Sequence, residues 1–142
     1  MEKTTTSEIM NTSKEQLYYH LGLLFYAIAI ADKKIHEKEF EKFKTLLRQK
    51  WLHYPGYDKT TNKNNALELY NAFIKMQDLE TGSTESFERF RKYFLKNTPL
   101  FTQELRAFIW ETAQAIATSN AQKNKSELMV LAKLGMLLQS TT

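Results

Sequence analysis

Only two prolines and four glycines punctuate the 142 residues, and none of them lies between Met1 and Leu21. Few breakers means long uninterrupted helices. Proline removes a helix N–H, and glycine costs a helix interior about 1 kcal/mol relative to alanine. Apolar residues recur accordingly: Leu17, Leu21, Leu24 and Ile28 fall at spacings of four, three and four, one helical face. No window alternates convincingly with period two, so no sheet is expected. With 42% hydrophobic residues the chain has enough apolar surface for one core. The expected fold is an all-α, single-domain bundle of six or seven helices.

Helix signals set the expected boundaries. Ser13 and Gln16 have capping-box spacing, which makes 1–12 a flexible tail and 13–142 the helical domain. Gly22 falls inside the first helix, where it allows close packing. A second helix opens with His36 at the N-cap and Glu39 three residues on, and buries Phe40, Phe43 and Leu47. Residues 51–65, "WLHYPGYDKTTNKNN", are expected to form a loop around Pro55-Gly56. A third helix covers roughly 65–79. The fourth starts at Ser83 or Thr84, carries Phe87, Phe90 and Phe94, and ends before Pro99. Thr102 caps the fifth, whose face is Leu105, Phe108, Ile109, Thr112 and Ile116. Asn124 and Glu127 open the last.

Several function classes have no residues to support them. The chain has no cysteine, which excludes disulfides, thiolate metal sites and cysteine nucleophiles. The three histidines, His20, His36 and His53, are scattered without zinc-ligand spacing. No nucleophile elbow, Walker loop or dinucleotide fingerprint occurs, so no enzyme is expected. The longest apolar stretch, 21–31, is about half the roughly 20 residues that span a bilayer. The polar first residues lack a signal-peptide core. A cytoplasmic location is expected, including the inner face of the membrane.

The chain also repeats itself. A shift of 88 places Leu21 on Ile109, Ala27-Ile28-Ala29 on Ala115-Ile116-Ala117, Asp32 on Asn120 and Glu39 on Glu127. Phe40 then falls on Leu128, Phe43 on Leu131 and Leu47 on Gly135. Two similar helical hairpins would pack together with the middle helices inserted between them.

The residues "AIAIADKKIHEKEF" (27–40), with a fainter echo in "AIATSNAQKNKSEL" (115–128), resemble the tellurite-resistance TerB-like family. The N-terminal domain of membrane-anchored DnaJ-like co-chaperones is similar. The resemblance covers most of 15–139. It implies a helical bundle with pseudo-twofold halves, a cation-binding surface at the two hairpin turns, and a stress-associated adaptor role near the membrane. Two positions depart from the family pattern: Lys33 stands where glycine often follows the Asp, and Ser119-Asn120-Ala121 offers an amide where the acid usually repeats.

Three sets of candidate residues follow. Asp32, Glu37, Glu39, Asn120 and Glu127 would supply oxygens to a weakly bound Ca²⁺ or Mg²⁺ if the two turns converge. Lys33, Lys34, Lys38, Lys123 and Lys125 lower the negative potential there. Alternatively Asp32 closes a turn, and Glu39 and Glu127 are only capping residues. Arg89, Arg91, Lys92 and Lys96 surround the Phe face of 87–96 and could meet phosphates, although Glu85, Glu88 and a net charge of only +4 dilute them. Trp51, Tyr54 and Tyr57 either anchor a partner or lid the bundle. The expected partner is a protein, including a membrane-associated one. A nucleic acid or anionic surface is the alternative.

Overall fold

The computed structural model describes residues 6–119 and 125–140. Six α-helices and two 3₁₀ turns occur among them, and no strand. The order is α1 (Thr6–Ala29), α2 (Glu37–Gln49), a 3₁₀ turn (Trp51–His53), α3 (Lys59–Asp78), α4 (Ser83–Lys96), a second 3₁₀ turn (Thr98–Leu100), α5 (Gln103–Thr118) and α6 (Lys125–Leu138). The all-α expectation therefore holds.

The helix α1 is the axis of the bundle. Every residue from Leu21 to Ala29 is buried, because α3, α4, α5 and α6 all pack against it. A helix apolar on all sides belongs in a core rather than at a surface, so the single-stripe reading of 17–28 was too narrow. The helix also begins at Thr6 rather than Ser13, since no glycine or proline interrupts that segment.

Hydroxyls tie α4 to α1. Ser86 Oγ donates to Leu23 O and Ser83 Oγ to Ala27 O, both at 2.7 Å. Tyr26 Oη donates to Thr81 O at 2.7 Å. The phenylalanine face of α4 is buried as expected: Phe90 and Phe94 are fully enclosed and Phe101 packs on both. Thr102 caps α5 by accepting from Leu105 N–H at 3.1 Å.

The long loop expected at 51–65 is mostly not a loop. Asp58 caps α3 by accepting from Thr61 N–H at 2.7 Å, so the helix starts at Lys59. The polar run after it contains no breaker, and polarity alone does not stop a helix. Trp51 and Tyr54 are buried. The indole Nε1–H of Trp51 donates to Thr112 Oγ1 at 3.0 Å, and Tyr57 stacks on Tyr54. These aromatics lid the bundle. Trp51 and Tyr54 are not available to a partner.

The 88-residue repeat has a spatial counterpart. The helix α1 pairs with α2 and α5 with α6, while α2 packs on α5 and α6 on α1. Exchanging the hairpins exchanges those contacts, as a pseudo-twofold requires. Leu21, Ile109, Ile28, Ile116 and Phe43 are fully buried. The match weakens at the periphery: Phe40 is half-buried, whereas its counterpart Leu128 is exposed.

A buried carboxyl pair between the two hairpins

The α1–α2 turn begins where α1 runs out of helix. Lys33 N–H donates to Ile30 O at 2.7 Å. Lys33 itself adopts φ +73°, the left-handed region that favours glycine. That is the position where the TerB-like pattern often has Gly. Lys33→Gly should therefore stabilise the protein by roughly 1 kcal/mol, as a raised denaturant midpoint at unchanged slope. A lowered midpoint would mean that the lysine side chain holds the turn by contacts of its own.

The strained turn aims Asp32 at the next helix. Asp32 Oδ2 accepts from His36 Nε2 at 2.8 Å, and Oδ1 accepts from Lys34 N–H at 3.3 Å. His36 is the N-cap residue of α2, and its backbone N–H donates to Glu39 Oε1 at 3.1 Å. The capping role expected of Glu39 is thus present. It engages one oxygen of the carboxyl.

The other half of that carboxyl meets the second hairpin. Glu39 and Glu127 are 0% and 2% exposed, and their side chains hydrogen-bond to each other. Oε2 of each finds no partner elsewhere among the described residues. Two buried carboxylates repel, so such a contact is favourable only with a proton on one of them. Burial pushes the Glu127 carboxyl up to about 8, reinforced by its hydrogen bond to Glu39 and by the negative charge of Glu39 and Asp32. Burial also raises Glu39, opposed by its bonds to Glu127 and His36. The pair therefore shares one proton at neutral pH.

The convergence required of the two turns is present, with a different roster. Glu39 and Glu127 meet. Asp32 lies near enough to act on both electrostatically, but its oxygens face His36 and Lys34. Glu37 is exposed on the first turn of α2 and takes no part. Asn120, Lys123 and Asn124 lie outside the described residues. Lys33, Lys34, Lys38 and Lys125 are exposed. His36 joins the site, and the sequence reading passed over that role. Its signal was the four-residue spacing from Asp32, which brings the two together across a tight turn. Among the described residues no group of three or more acidic or histidine side chains is arranged to hold a metal ion.

The basic helix is largely self-neutralised. Arg89 Nη2 bonds to Glu85 at 2.8 Å, and Arg91 Nε to Glu88 Oε2 at 2.9 Å. Lys92 and Lys96 are exposed. Away from the site, His20 stacks on Tyr93 at 4.0 Å, and burial lowers its pKa. No helix of the described residues is long and apolar enough to cross a membrane. No protein-family model, curated protein or solved structure matches the chain.

Proposed function

We propose that the chain is a non-enzymatic, TerB-like, stress-associated adaptor whose two hairpins are latched by a divalent cation at Glu39 and Glu127. One observation carries this reading: two fully buried carboxyls, one from each hairpin, face each other with an otherwise unpartnered oxygen apiece. A protein core accepts such a pair at a cost of several kcal/mol unless something compensates the charge. A hard cation is a natural compensator, because it takes carboxylate oxygens and fills its remaining positions with water.

The donor set fits a hard cation in chemistry and falls short in number. Glu39 and Glu127 anchor the ion from opposite hairpins. Asp32 stands beside them as the third carboxylate, held in reserve by His36 and Lys34. With two direct ligands and several exposed lysines nearby, affinity belongs in the weak range, about 10⁻⁴ to 10⁻³ M.

Calorimetric titration of Ca²⁺, Mg²⁺ and Mn²⁺ into chelator-treated protein tests this. Saturable binding is expected near millimolar metal. Asp32→Ala should weaken it several-fold and Glu127→Gln should abolish it. If no heat of binding appears up to about 10 mM of any of the three ions, the pair is a structural acid–carboxylate contact and the cation latch is wrong.

A further inference from the structure

The helices α4 and α6 each pack on α1 and leave a groove between them. It has a volume of about 500 Å³ and is lined by Phe87 and Leu95 of α4 and Val130 and Leu137 of α6. Met136 at its edge is 76% exposed and Leu95 is 42% exposed, far more than isolated core residues would be. Volume and lining lie in the range of small-molecule sites: apolar walls with a few polar groups.

Charge marks what those polar groups would take. Arg91 and Lys133 face the groove from opposite helices, with Glu88 as the one acid among its lining residues. Glu88 is bound by Arg91 and also feels the charge of Lys133. Lys133 is exposed and makes no ion pair among the described residues. Arg91 is thus held by Glu88, which leaves Lys133 as the unpaired cation beside an apolar lining.

The volume of about 500 Å³ is that of a small-molecule site, and one unpaired lining cation, Lys133, calls for one anionic group. We infer that the α4–α6 groove binds a monomeric, single-chain amphiphile with an anionic head, a fatty carboxylate. Its hydrocarbon lies along Phe87, Val130, Leu137 and Leu95, and its carboxylate pairs with Lys133. Met136 is the adaptable wall, since an unbranched thioether side chain repacks readily around a flexible chain.

The test uses dodecanoate below its micelle concentration, dodecyltrimethylammonium as the same tail with the opposite charge, and vesicles of mixed phosphatidylglycerol and phosphatidylcholine. Dodecanoate should bind one to one and the cationic analogue at least tenfold more weakly. Lys133→Glu should weaken dodecanoate binding by tenfold or more, the loss expected for a charge-assisted contact. Met136→Glu, at an exposed position that tolerates change, should weaken it similarly by charging the wall. The inference is overturned by any of three results: no saturable dodecanoate binding, equal affinity for the two head groups, or no change in both variants. Binding to vesicles without binding to monomer also overturns it and makes the face a membrane-docking surface.

Discussion

Glu127→Gln is expected to flatten the dependence of stability on pH and to leave a protein more stable than the parent in alkali. The sign follows from the raised pKa of the buried carboxyl. Folded Glu127 keeps its proton up to about pH 8, whereas in the unfolded chain it ionises near pH 4.3. Between those values the native state binds more protons than the unfolded state, so stability falls as pH rises, and it levels off above the folded pKa. The parent should lose on the order of 3 kcal/mol between pH 5 and pH 9. Glutamine is close to glutamate in shape and stays neutral. Its amide N–H₂ can donate to Glu39 as the protonated acid does. The variant should match the parent near pH 5 and exceed it by a similar amount at pH 9. Urea unfolding at several pH values, in the presence of chelator, measures both. A parent curve that stays level across this range would show that the two carboxyls ionise independently.

Gly22→Val should be among the most damaging single substitutions in the protein. A Cβ at Gly22 would clash with the carbonyl oxygen of Leu69 and stand 2.6 Å from Ala72 Cβ. Both belong to α3, so the obstacle is largely backbone, and relief requires α1 and α3 to separate. Separation would loosen the packing of α1 on α3, including the contact of Tyr26 with Phe73. Overpacking commonly costs 1–3 kcal/mol, and more where backbone must move. We expect about 4 kcal/mol for Gly22→Val. For Gly22→Ala we expect roughly 2 kcal/mol, after the helix-propensity gain of about 1 kcal/mol. Gly135 is the internal control. A Cβ there meets only the end of the Trp110 ring, at 3.4 Å, so Gly135→Ala should keep the propensity gain and stabilise by up to about 1 kcal/mol. Equal thermal midpoints for Gly22→Ala and Gly135→Ala would sink the argument from close approach.

The sequence made much of the bundle legible. Scarce breakers and 3.6-residue spacing declared the helices, and the caps at His36 and Thr102 are local chemistry that needs no distant partner. Where the reading failed, a local signal was overrated. Polar residues after Asp58 looked like loop, yet helix formation requires only the absence of breakers and a cap. The aromatics Trp51 and Tyr54 sat beside Pro55-Gly56, and the sequence left open whether they anchor a partner or lid the bundle. Their burial depends on Phe108 and Thr112, more than fifty residues later.

The candidate site divides in the same way. The 88-residue repeat set Glu39 and Glu127 at equivalent helix starts, and both residues appear in the sequence as ordinary capping acids. That they touch, that both are buried, and that one must hold a proton follow from the packing of one hairpin on the other. The same holds for Glu37, two residues from Glu39 and equally acidic, which the helix turns outward to water. Pattern within a short window thus determined the helices, their caps and the pairing of equivalent positions, because backbone geometry and hydrogen bonding act over a few residues. Tertiary structure alone decided which acids lose their water, because desolvation depends on what the rest of the chain lays over them.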